Sequence, residues 1–142
     1  MSSPVFPSTL ERHEIRIDTE EDVFVTRRKA REIAQACGFD IFHCAAVTTA
    51  ASELARNVWV HAGRGVAMIE KLADEIRFGV RIEFEDAGPG ISDVERVLAG
   101  GYSTAKSMGL GLSGSRRLAD EFSIESKPGV GTKVTFVKWA PF

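Results

Sequence analysis

The sequence predicts an α/β (α+β) two-layer sandwich in which helices cover a mostly antiparallel sheet. Three observations lead there. Alternating apolar runs such as Val80, Ile82 and Phe84 have the two-residue period of half-buried strands. Two long segments carry apolar residues at spacings of three and four and stop at Gly38 and Gly63, as packed helices do. The order of elements is a strand, two helices, two strands, a broken loop region, a helix and two strands, without repeat or linker. The 142 residues therefore read as a flexible tail over 1–9 and a single domain over 10–142.

Taken in order, Pro4, Pro7 and three serines leave the tail without periodicity. Ile15 and Ile17 alternate with Arg16 and Asp18, which predicts a strand over 10–18 near a sheet edge. Thr19 is a capping hydroxyl, and Glu20, Glu21 and Asp22 suit the positive first turn of a helix. That helix runs to about Cys37, with Val23, Val25, Ala30, Ile33 and Ala34 as its apolar stripe and Arg27, Arg28, Lys29 and Arg31 as a basic flank. Asp40 is placed to cap a second, largely buried helix over 41–62, in which Ala46, Val47, Ala50, Leu54 and Val58 face the sheet. Strands over 66–72 and 76–85 form a hairpin around Ala73, Asp74 and Glu75. Asp93 caps a short helix over 94–98, and the small and polar residues of 100–107 suit a mobile lid. A helix over 110–121 and strands over 122–126 and 132–139, joined at Pro128 and Gly129, complete the chain.

Composition narrows the function classes. A net charge of −2 gives no general attraction to nucleic acid or to an anionic membrane surface, so a partner must be recognised locally. No apolar run approaches a membrane span, and the first residues lack the pattern of a secretory signal, which points to the cytoplasm. Cys37 and Cys44 are isolated in apolar surroundings and read as reduced thiols; two such ligands make no zinc site.

The chemistry gathers in three places. After the strand ending at Glu85 comes Asp86, Ala87, Gly88, Pro89, Gly90, in which a carboxylate and close-approaching backbone can face a ligand. Downstream, Met108, Gly109, Leu110, Gly111 and Leu112 open a helical pattern whose first amides suit phosphate oxygens. Upstream, Glu53 and Asn57 stand one turn apart on an apolar helix, where unpaired polar groups cost about 1–3 kcal/mol each and so call for partners. A nucleotide satisfies all three. Asp86 can accept from an adenine amine, Gly88 and Gly90 open space for the base, and Gly109 and Gly111 can offer amides to phosphates. The Asn57 amide oxygen suits Mg²⁺, Glu53 can act as base, and Lys106 is placed to reach the terminal phosphate.

In these motifs the chain resembles the GHKL (Bergerat-fold) ATPases and kinases over roughly residues 10–139. Glu53 with Asn57 looks like the N box, Asp86, Gly88 and Gly90 like the first glycine box, and Gly109 with Gly111 like the second. Ser52 to Asn57, the turn Gly63, Arg64, Gly65, and Gly101, Tyr102, Ser103, Thr104 are most similar to the RsbT-type switch kinases of the stressosome. The lid departs from that pattern at Lys106, Ser107 and Met108. The resemblance implies Mg²⁺- and ATP-dependent phosphorylation of serine or threonine on STAS-domain antagonist or scaffold proteins. A switch to a downstream phosphatase or other effector would follow. For the nucleotide it implies contacts from Asn57, Asp86, Gly88, Gly90, Ser103, Thr104, Lys106, Gly109, Leu110, Gly111, Leu112 and Thr132, with Glu53 catalytic. An RsbW-like anti-sigma factor that sequesters a sigma factor is the alternative, since Asn57, Val58, Trp59, Val60 and His61 also resemble that branch. A sensor histidine kinase is disfavoured because His13, His43 and His61 lie in no two-helix phosphoacceptor context.

Overall fold

The computed structural model describes residues 7–99 and 107–141. Its elements are β1 (Ser8–Ile17), α1 (Glu20–Ala36), α2 (Ile41–Asn57), a π-helical turn (Val58–Ala62), β2 (Gly65–Ala73) and β3 (Phe78–Asp86). They continue with α3 (Val94–Leu98), α4 (Ser107–Leu118), β4 (Glu121–Lys127) and β5 (Gly131–Trp139). The five strands form one sheet in the order β1-β2-β3-β5-β4. Every pairing among them is antiparallel.

The strand period decides which face is covered. Val80, Ile82 and Phe84 of β3 point the same way as Ala67 and Ile69 of β2 and Val134 and Phe136 of β5, and with Val47, Ala50 and Leu54 of α2 they form the main core. Helices α1 and α2 pack side by side over this face, and α4 packs on α2. Among the described residues the opposite face carries a small cluster of Leu72, Val137 and Trp139. Beside it, Glu70 is 3% exposed. Burial alone would raise its pKa, but Arg81 at 2.8 Å, helped by Thr9 and Arg12, overcomes that and lowers it.

Local chemistry fixes the helix starts. Thr19 Oγ1 accepts from Asp22 N while the Asp22 carboxylate accepts from Thr19 N, a capping box. Asp40 accepts from His43 N at 2.8 Å and begins α2, and Asp93 accepts from Arg96 N and begins α3.

Several boundaries differ from expectation. β1 begins at Ser8, which pairs with Ala73, so Ser8 and Thr9 belong to the sheet rather than to a tail. Val25 is 36% exposed; the buried stripe of α1 passes through Thr26 instead, whose hydroxyl donates to Asp22 O at 2.8 Å and leaves its methyl in the core. The expected second helix ends at Gly63 (φ +82), but its last five residues widen into the π turn. The β2–β3 turn covers Asp74 to Arg77, with Asp74 accepting from Ile76 N and Arg77 N, and Ile76 stands in it 70% exposed. α4 begins and ends about three residues earlier than its periodicity suggested. The expected lid, with Ser103, Thr104 and Lys106, lies outside the described residues.

Candidate functional site

Asp86 is the last residue of β3 and is held in register opposite Thr132 of β5. Its Oδ1 accepts from Gly88 N at 2.9 Å, which turns the chain directly after the strand. Burial raises the pKa of this carboxyl, and the backbone donors of Gly88 and Thr132 offset that only in part. A cavity opens beside it, walled by Leu54, Val58, Phe84, Ile91, Leu112 and Val134, with Asn57, His61, Asp86 and Thr132 as its polar groups. Mostly apolar walls with a few placed polar groups are what a flat heteroaromatic ring requires.

The second part of the site is where α2 meets α4. Asn57 is 9% exposed, and its Nδ2 has no hydrogen-bond partner among the described residues. Fold stability alone does not favour such an orphan. A Cβ built on Gly111 would stand 3.1 Å from Asn57 Nδ2 and 3.4 Å from Glu53 Oε2. The missing side chain therefore lets α4 close on α2 and brings both polar groups of α2 against α4. Glu53, Asn57 and Gly111, well separated in sequence, share one place, and Asn57 also faces the Asp86 cavity.

Residues 45–141 match the family described as histidine kinase-, DNA gyrase B- and HSP90-like ATPases. The chain belongs to this family. Within it, the chain is 45% identical over 125 residues to the serine/threonine-protein kinase RsbT of Bacillus subtilis, covering 88% of this chain and 94% of that one. It is 32% identical over 97 residues to an anti-sigma F factor of Caldanaerobacter subterraneus, covering 66% of this chain and 68% of the other. An anti-sigma F factor of a Thermoanaerobacter species is 30% identical over 99 residues, with the same shares. Membership of a histidine kinase-, DNA gyrase B- and HSP90-like ATPase family implies ATP as the nucleotide.

The geometry of this candidate site changes the reading of its glycines. Gly88 packs on Ala62, which a Cβ would meet at 2.6 Å, and Gly90 (φ +73) is pressed against the carbonyl of Lys127. Close packing against Ala62 and the Lys127 carbonyl and a left-handed turn at Gly90 call for glycine at both positions, and Gly90 also lines the cavity. Gly111 lies a full turn inside α4, so its N–H is directed along the helix and its contribution is the close approach to Glu53 and Asn57. Gly109 and Leu110 lie in the first turn, where amides are unpaired by the helix itself. Thr132 is on the cavity wall, its Oγ1 2.8 Å from Ser126 Oγ.

Sequence reasoning gave neither His61 nor Ser126 a role in the site. His61 follows Asn57 by one helical turn, a spacing that could have flagged it. Its Nε2 is buried without a partner among the described residues. Burial lowers its pKa, with the charge of Asp86 opposing. Ser126 had no such signal: its Oγ accepts from Ile91 N at 2.7 Å and donates to Gly131 O at 3.2 Å, a tie across 35 residues of chain between the first glycine turn and the β4–β5 turn.

Among the described residues no cluster of three or more His, Cys, Asp or Glu could hold a metal, and no helix is long and apolar enough to cross a membrane. Cys37 and Cys44 are free thiols, and burial pushes Cys37 up to about 11.

Proposed function

We propose that the chain is an ATP-dependent protein-serine/threonine kinase of a partner-switching module, acting on STAS-domain antagonist or scaffold proteins in the cytoplasm. The observation that carries this reading is the juxtaposition of Glu53 and Asn57 against Gly111 beside the Asp86 cavity. The 45% identity to a serine/threonine-protein kinase over nearly the whole chain supports it.

In this reading the Asp86 carboxylate accepts from the adenine amine, and the cavity walls hold the ring. Gly109 and Leu110, with Ser103, Thr104 and Lys106, attend the phosphates, and Leu112 lines the cavity beside the ring. Asn57 suits Mg²⁺, because its buried Nδ2 has no partner among the described residues, and O and N of such an amide exchange by a simple flip. The ion supplies neutralisation of phosphate charge when bound. Glu53 accepts the proton of the substrate hydroxyl as its oxygen bonds to the terminal phosphorus and the bond to the ADP oxygen breaks. The phosphorylated partner then leaves, and the kinase turns to a downstream phosphatase or other effector.

Gly111 offers a test internal to the site. Gly→Ala inside a helix ordinarily gains about 0.5–1 kcal/mol. Here the methyl must displace the Asn57 amide by a few tenths of an ångström and would come into contact with Glu53. Gly111→Ala should therefore keep or raise the melting temperature while slowing phosphoryl transfer about tenfold or more. A variant with unchanged rate would remove Gly111 from the site.

The activity itself is tested by incubating the full chain with Mg²⁺, radiolabelled ATP and purified STAS-domain proteins from the same organism. Labelled serine or threonine on one of them is the expected result, and none on any would overturn the kinase reading. The two anti-sigma F relatives favour a second reading, an anti-sigma factor that sequesters a sigma factor. Capture of a sigma factor in place of STAS proteins and phosphatase would establish that alternative.

A further inference from the structure

A groove runs between α1 and the first half of α2, sharing no lining residue with the nucleotide cavity. Arg27, Arg31, Phe39, Ile41, Ala45 and Thr49 line it around about 420 Å³, and it continues past Arg27 and Arg31 to Phe24 and Arg28. Ile41 and Phe42 stand 78% and 80% exposed in the first turn of α2, and Phe24 is 46% exposed. Apolar side chains of this size grouped beside a groove mark an interaction surface rather than scattered surface residues.

The charge of the groove is one-sided. Arg27, Arg28 and Arg31 form no ion pair among the described residues, whereas the nearby carboxylates of Glu32 and Asp40 are held by Lys29 at 2.9 Å and His43 at 2.7 Å. The chain as a whole carries −2, so this basic strip is local. The groove also leads to the site. Ala45, Thr49, Glu53 and Asn57 follow one another at intervals of four on α2, along one helix face. At 1.5 Å per residue Thr49 lies about 6 Å along the axis from Glu53.

We propose that the groove docks an acidic segment of the protein substrate, anchored by an apolar side chain on Ile41 and Phe42, and so directs the substrate hydroxyl to Glu53. This rests on the kinase reading above. A concave groove flanked by guanidinium groups fits a protein segment better than the flat surface of an anionic membrane.

The test uses the full chain and a labelled amphipathic peptide of Glu, Leu and Phe, with a counterpart carrying Lys for Glu. The acidic peptide should bind and the basic one should not. Arg27→Glu with Arg31→Glu, and separately Phe42→Ala, should each weaken binding about tenfold or more. Affinity for an ATP analogue should stay unchanged, which also shows that the variants are folded. Equal binding of both peptides, or affinity indifferent to these substitutions, would overturn the proposal. So would tighter binding to phosphatidylglycerol vesicles than to the peptide. Peptide binding needs no ATP, so a chain that binds the peptide as expected yet labels no STAS-domain protein would overturn the kinase reading alone.

Discussion

Asp86→Asn should leave the chain folded, and at neutral pH slightly more heat-stable, while weakening ATP about 10- to 150-fold. The affinity loss follows from removing a charge-assisted hydrogen bond in a buried site, roughly 1.5–3 kcal/mol. An amide can also turn its own donor toward the adenine amine, where the carboxylate could only accept. The stability gain follows from the direction of the pKa. Burial raises the Asp86 carboxyl in the folded chain. Between the ordinary aspartate value and that raised one, the folded chain binds more protons than the unfolded chain. Stability therefore falls as pH rises through the window and stays lower above it. A neutral amide escapes the loss, and its oxygen can still accept from Gly88 N, now 2.9 Å from Asp86 Oδ1. By the same logic the native chain should begin to lose ATP affinity on acidification above the ordinary aspartate range. Titration calorimetry and thermal melts across pH read both effects. An Asp86→Asn variant that is folded and binds ATP like the native chain would show that Asp86 does not contact the base.

Alternation made the sheet legible, because a strand with one covered face must repeat every two residues: Ile15 and Ile17, then Val80, Ile82 and Phe84, all point into the main core or pack against it. Caps were legible for a related reason, since Thr19, Asp40 and Asp93 each satisfy an amide that the helix leaves unpaired. Thr26 was not, because a residue scale counts its hydroxyl and ignores that Asp22 O accepts it inside the helix. The site was half legible. Residue types at Glu53, Asn57 and Asp86 expose their chemistry directly, but what a glycine does depends on what lies opposite, and that is tertiary information. Nothing local to Gly88 shows that it faces Ala62, nor local to Gly111 that it faces Asn57 and Glu53. The groove on α1 illustrates the same limit. Arg27, Arg28 and Arg31 look like any solvated helix flank until α2 sets Phe39, Ile41 and Thr49 beside them.

Asn57→Ala should slow phosphoryl transfer by roughly 100- to 10,000-fold, the several kcal/mol associated with charge stabilisation at a bound metal. It should do so without the destabilisation expected of a buried substitution. The side chain is 9% exposed, and its Nδ2 satisfies nothing among the described residues. Its removal therefore deletes an unpaired polar group along with a little packing, and the two effects oppose each other. Asn57→Asp separates the roles. It keeps an oxygen ligand of the same reach and should retain more activity than Asn57→Ala, while placing a new carboxylate beside Glu53, whose Oε2 lies against the same Gly111. Binding of an ATP analogue with and without Mg²⁺ gives the readout that activity alone cannot. The native chain should bind more tightly with the ion, and Asn57→Ala should show little difference. If Mg²⁺ strengthens binding equally in both, the metal is held elsewhere and Asn57 is a structural residue of the α2–α4 contact.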